Sequence, residues 1–134
     1  NSLVNTPPVF PIYVCGLMFE WIIEQGGLRV MQTRNAEKSA LLYDFIDDSR
    51  LYQNHIAKAA RSPMNVTFTL PTEDLTHAFV QEATSAGMLG LRGHRAQGGI
   101  RVSLYNAIEK TQVERLLNFM QDFETKQRAA SIGS

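Results

Sequence analysis

Val66-Thr67-Phe68-Thr69-Leu70, followed by Pro71-Thr72 and a run that closes at Gly87, decides the reading of the fold. The strict alternation over Val66 to Leu70 predicts a strand with one buried face. Pro71-Thr72 then opens a helix whose apolar positions, Leu75, Phe79, Ala83 and Ala86, recur at helical spacing before Gly87 ends it. Downstream, Leu89 to Arg92 and Ile100 to Tyr105 read as short strands. Thr111-Gln112-Val113-Glu114 has capping-box spacing and leads into Val113, Leu116, Leu117, Met120 and Phe123 at helical period. Upstream, a helix is expected from Leu28 to Asp47, apolar at its end (Leu41, Leu42, Phe45, Ile46), and His55 to Lys58 could add an edge strand. Helix, strand, helix, strand, strand, helix implies an α+β fold with helices on one face of a mostly antiparallel sheet.

The first quarter of the chain reads differently. Asn5-Thr6-Pro7-Pro8 is a helix-start signature with Thr6 as N-cap, and prolines fit a first turn whose N–H groups have no intrahelical partner. From Ile12 to Ile23 apolar residues fall on every side, which implies burial all round, and Gly26-Gly27 stops the helix. Pro7 to Ile23 is too short for a membrane span, holds Glu20 and carries Pro7, Pro8 and Pro11 at one end. It also lacks the basic leader and cleavage site of a signal peptide. Cys15, the single cysteine, lies inside it and reads as a buried, inert thiol suited to a reducing compartment. The sequence opens at Asn1 without a methionine, so the natural protein is expected to begin earlier; Ala129 to Ser134 read as a tail.

The 134 residues fit one compact domain with an attached element, and 44% hydrophobic against 19% charged residues mark a globular chain. Thirteen basic residues balance thirteen acidic ones, which excludes a broad nucleic-acid or anionic-membrane surface. His55, His77 and His94 lie far apart, and no metal site is expected.

Against that neutral background, Arg92-Gly93-His94-Arg95-Ala96-Gln97-Gly98-Gly99-Ile100-Arg101 stands out. No Asp or Glu occurs between Glu82 and Glu109. The glycines allow sharp turns and close approach of backbone to an anion, and arginine can grip a carboxylate or phosphate with two parallel hydrogen bonds. If Val102 and Leu104 face the core, Arg101, Ser103 and Tyr105 face away from it. That places a clamp on a rigid strand. A solvated basic hairpin that binds nothing has the same composition.

Several motifs, in order, resemble the phosphoserine aminotransferase family of pyridoxal-phosphate enzymes, in its C-terminal portion. They are Asn5-Thr6-Pro7-Pro8 before an aromatic-rich helix, Gly26-Gly27, Leu41-Leu42-Tyr43, Met64-Asn65-Val66, and Gly93-His94-Arg95 with Gly98-Gly99, Arg101, Ser103 and Tyr105-Asn106-Ala107. The resemblance spans about Asn1 to Glu124. It implies the small C-terminal domain of a fold-type I aminotransferase, preceded by a long apolar interdomain helix. The implied divisions are 1–25 for the helix leaving a large domain, 26–124 for the small domain and 125–134 for a tail. By position, it implies that Asn5 and Thr6 reach the cofactor phosphate in a neighbouring subunit's site. His94 and Arg95 would lie near the phosphate of phosphoserine, and Arg101 would hold the substrate α-carboxylate. The family reaction moves an amino group between glutamate and 3-phosphohydroxypyruvate in serine biosynthesis, giving phosphoserine and 2-oxoglutarate in a cytoplasmic homodimer.

The family's Schiff-base lysine lies upstream of Asn-Thr-Pro-Pro, outside this sequence, and Lys38, Lys58, Lys110 and Lys126 lie on other elements. No catalytic residue is therefore expected in this chain, and the chain alone is expected to be inactive. Two other readings compete: a stand-alone anion-binding or regulatory α+β module using the basic loop, and an interaction domain using the apolar first helix. A stand-alone module should not begin with a helix apolar on all sides.

Overall fold

The computed structural model describes residues 5–94, 96 and 98–132, with the side chains of 131 and 132 left aside. The chain divides into two compact units, Asn1–Arg34 and Asn35–Ser134.

The first unit carries α1 (Val9–Glu24) and the beginning of α2 (Gly27–Asp48). The N-cap of α1 is Pro8, not Thr6, and it makes no side-chain capping bond. Pro11 is thereby only the third residue of the helix, where a missing N–H costs nothing. Gly26 and Gly27 both hold positive φ, at 102° and 82°, and break the two helices apart as their sequence foretold. No residue of α1 is buried, which corrects the expectation of a buried helix; Trp21 and Ile22 are half-buried, and Cys15 is exposed. A short two-helix unit has too few neighbours to enclose a helix that is apolar all round.

The second unit is α+β. After α2 come a single 3-10 turn (Lys58–Ala60), β1 (Asn65–Phe68), α3 (Glu73–Ser85), β2 (Ile100–Ser103) and α4 (Lys110–Ile132). β1 and β2 are antiparallel, with Thr67 opposite Arg101 and Phe68 opposite Ile100. Single bridges extend this pair on both sides, Gln53 to Thr69 and Arg92 to Ile100. The strand expected over Leu89–Arg92 is thus reduced to one residue, because Gly90 turns with φ 74° in its middle. The edge expected at His55–Lys58 sits earlier, at Gln53. The Asn54 side chain accepts from the Ile56 N–H (2.8 Å) and so bends the chain before a longer strand can form.

Val66, Phe68, Ile100 and Val102 point to one face, where the helices cover them with Leu42, Ile46, Phe79, Ala83, Val113, Leu116, Met120 and Phe123. Phe79 is fully buried and meets the rings of Tyr52, Phe68, Phe119 and Phe123 at 5.2–5.9 Å, all tilted or edge-on. The Tyr52 hydroxyl donates to the Met120 carbonyl (2.9 Å), and burial pushes its pKa far up. Ser49 donates to the Glu124 carboxylate nearby (3.0 Å).

Both later helices are capped locally. The Thr72 side chain accepts from the Leu75 N–H (3.2 Å), as the Pro71-Thr72 start implies. At α4 the cap lies two residues before the expected box: Gln112 accepts from the Glu109 N–H at 2.8 Å. α4 continues to Ile132, through residues that read as a tail in sequence.

Candidate functional site

The outer face of the sheet, opposite the core, carries the polar residues of each strand. On β1 these are Asn65 and Thr67, followed by Thr69; on β2 they are Arg101 and Ser103. Ile100, Val102 and Leu104 are buried while Arg101 and Tyr105 are exposed, which is the alternation the sequence required.

Three backbone bonds hold the hairpin from Leu91 to Arg101 together. The Arg101 N–H donates to Leu91 (2.8 Å), Gly93 to Gly99 (2.9 Å), and Gly98 to His94 (2.9 Å). Its glycines are needed where they stand. A methyl group on Gly93 would lie 2.0 Å from the Gly98 carbonyl oxygen. One on Gly99, at φ +62°, would lie 2.7 Å from the Phe68 carbonyl oxygen and 3.1 Å from the Thr69 methyl. The hairpin therefore lies directly against the end of β1.

This packing leaves an open recess lined by Thr67, Thr69, Gly98, His94, Arg101 and His55, with apolar Phe68 and Ile100 at its floor. No carboxylate lines it among the described residues. Among the described residues, the Arg101 guanidinium has neither an ion-pair nor a hydrogen-bond partner. The His94 Nδ1 accepts from the Ala96 N–H (3.3 Å), and the His55 Nε2 lies 3.1 Å from the Thr69 hydroxyl. A guanidinium without a partner among the described residues, beside two imidazoles and two threonines and with no described acid in the recess, suits a small carboxylate- or phosphate-bearing ligand.

Of the residues singled out in the sequence, His94 and Arg101 come together in this recess. Arg95 lies outside the described residues. Asn5 and Thr6 belong to the first unit and are exposed just before α1. His55 and Thr69 were not anticipated. The Gln53–Thr69 bridge brings them to the recess, and no spacing in the sequence announces a one-residue pairing.

No described lysine lines the recess. Lys38 is buried and donates to the carbonyls of Leu104, Tyr105 and Ile108 at 3.4, 3.0 and 2.8 Å; burial lowers its pKa, with Glu109 opposing. Lys58 pairs with Asp47 and Lys126 with Glu82, while Lys110 begins α4. No cluster of three or more His, Cys, Asp or Glu among the described residues could hold a metal ion. No helix among them is long and apolar enough to cross a membrane.

The model of the class-V aminotransferases matches residues 2–116, and the chain belongs to that family. Within the family it is similar to phosphoserine aminotransferases. Those of Shouchella clausii and Geobacillus kaustophilus are 51% and 50% identical over 127 residues, 94% of this chain and 35% of each relative. The solved phosphoserine aminotransferase of Bacillus circulans subsp. alkalophilus superposes with a TM-score of 0.89 at 43% identity, over 95% of this chain and 36% of that one. The pyridoxal-phosphate-bound enzyme of Trichomonas vaginalis superposes with a TM-score of 0.83 at 38% identity, over 89% and 34%. The chain thus spans about a third of the length of the relatives it matches.

Proposed function

We propose that this chain is the substrate-recognition portion of a phosphoserine transaminase, which moves an amino group between glutamate and 3-phosphohydroxypyruvate in serine biosynthesis. The observation that carries the reading is Arg101. It is a strand-held guanidinium, unpaired among the described residues, in a recess that no described carboxylate lines, in a chain half identical to phosphoserine aminotransferases. In this reading Arg101 takes the α-carboxylate with its planar fork, and His94 and Arg95 take the phosphate. The second unit is then the enzyme's small domain, and α1 the apolar helix that joins it to the large domain in a cytoplasmic homodimer. That assembly would also cover the exposed side of α1.

Pyridoxal phosphate fits the donor chemistry at the head of α1. Asn5 and Thr6 are exposed there and offer an amide and a hydroxyl, both suited to phosphate oxygens. The cofactor, when bound, supplies the electron sink for amino transfer. The described lysines are all engaged or placed away from the recess. The resemblance to the family assigns the lysine that carries the cofactor to a segment upstream of Asn5, and this chain alone is expected to be inactive.

The test uses the full-length protein. It should transaminate phosphoserine with 2-oxoglutarate, and Arg101→Lys should lower kcat/KM for both phosphoserine and glutamate, since both present an α-carboxylate. Arg95→Ala should lower it by about one to two decades for phosphoserine and less for glutamate, the loss of one charge-assisted contact. Equal losses for the two substrates in Arg95→Ala would refute the phosphate assignment.

A further inference from the structure

We infer that His55 is a further substrate-binding residue, one that holds the distal acidic group of the amino-acid substrates. The inference deepens the reading of the recess as the substrate site and rests on it.

The argument begins with placement. Gln53 pairs with Thr69 on one edge of β1, while β2 lies on the other. The Asn54 amide donates to the Thr67 carbonyl (2.6 Å) and its own oxygen accepts from the Ile56 N–H, so the chain is tied to β1 just before His55 and held in a local turn around it. From there His55 reaches Thr69 with Nε2 at 3.1 Å, and Thr69 lies against Gly99 at the base of the hairpin. His55 and His94 therefore both line the recess, His55 beside Thr69 and His94 on the hairpin. Arg101 stands two residues further along β2. Two residues of extended strand span about 6.6 Å, comparable with the length of a small dianionic amino acid. With the α-carboxylate on Arg101, the second acidic group falls between the two histidines.

Protonation chemistry agrees. If the Thr69 hydroxyl donates to Nε2, the proton of the neutral ring sits on Nδ1; if the ring is charged, both nitrogens carry protons. Nδ1–H is a donor in either state. Only a neutral ring with Thr69 turned to the Gln53 carbonyl would remove it, and that hydroxyl contact is long, at 3.5 Å. Nδ1 makes no other hydrogen bond among the described residues, and no described carboxylate in the recess competes for it.

The experiment is a steady-state comparison in the full-length holoenzyme, with phosphoserine, glutamate and alanine as amino donors. Alanine presents the α-carboxylate without a second acid. His55→Ala should raise KM for phosphoserine and glutamate about three- to tenfold, the loss of one hydrogen bond, with kcat within about twofold. The slow rate with alanine should be unchanged. His55→Gln, which keeps a donor, should recover part of the loss. His77→Ala removes an exposed histidine paired with Glu73 and outside the recess, and should change nothing. Unchanged KM values in His55→Ala, or an equal rise for alanine, would overturn the inference. If Arg101→Lys is impaired while both His55 variants match the parent, this inference alone fails. An intact parent that does not transaminate phosphoserine overturns both.

Discussion

Gly93 and Gly99 show how narrowly the hairpin is specified at single positions. Gly93→Ala and Gly99→Ala each place a methyl group within 3 Å of a backbone oxygen, which only a shift of the chain can relieve. Each should lower stability by about 1–3 kcal/mol in urea unfolding. Gly16→Ala, with nothing within 4 Å and a helix on either side, should be neutral or gain up to about 1 kcal/mol. Asp47 offers a different test. Arg61 grips it with bonds of 2.8 and 2.6 Å, lies 4.6 Å from the Tyr43 ring centre, and with Lys58 holds the carboxyl at about 2 against an ordinary 3.8. An acid depressed in the folded state stabilises it above the unfolded value and loses that effect as pH falls. The stability difference between the parent chain and Asp47→Asn should therefore shrink as pH drops from 3.8 toward 2. Acid titration followed by circular dichroism checks this; a constant difference would rule it out. Single residues were the least legible scale in the sequence. Arg101 was found because alternation fixes which way a strand residue points. His55 was missed because a one-residue bridge has no period.

Elements were read well where a period or a stop signal was long enough to detect. α3, α4 and both core strands lie within a few residues of their expected bounds, because Val66 and Phe68, and Val113, Leu116, Met120 and Phe123, are buried as their spacing assigns, with Leu117 packed at the edge of the core. Starts were read less well. Thr111 to Glu114 matches a capping box, yet Gln112 closes the helix onto Glu109, since the N–H groups that need a partner depend on where the backbone first turns. Gln112→Ala should accordingly cost about 0.5–1 kcal/mol and Glu114→Ala almost nothing. Lys38 could not be foreseen either. Its buried ammonium ties α2 to the carbonyls that follow β2, in place of the solvent a helical lysine usually meets. Lys38→Met should destabilise by about 1–3 kcal/mol, because those buried carbonyls lose their donor. Lys126→Met, which breaks only an exposed pair with Glu82, should cost less than about 1 kcal/mol. Chemical denaturation of the two variants side by side distinguishes them.

At the scale of the molecule, the exposed α1 has the most direct consequence. Val9, Phe10, Phe19 and Ile23 are all more than 60% exposed. Burying each such side chain is worth roughly 1.5–3 kcal/mol. The isolated chain should therefore self-associate, with sedimentation rising with concentration and the Trp21 emission shifting to the blue as it does. A chain that stays monomeric at every concentration, with unchanged Trp21 emission, would show that α1 is satisfied without a partner. The core of the second unit bears on something else, the order of events during synthesis. Tyr52 needs the carbonyl of Met120, 68 residues further on, and Phe79 needs the ring of Phe123. At about 5–20 residues per second, a ribosome takes roughly 3–14 s to cover that distance. For the later part of that interval, once Phe79 has been added, Tyr52, Phe68 and Phe79 are all made while the helix that seals them is not. The nascent chain thus carries an open aromatic cluster for seconds, long enough for a chaperone to bind it or for two chains on one messenger to find each other.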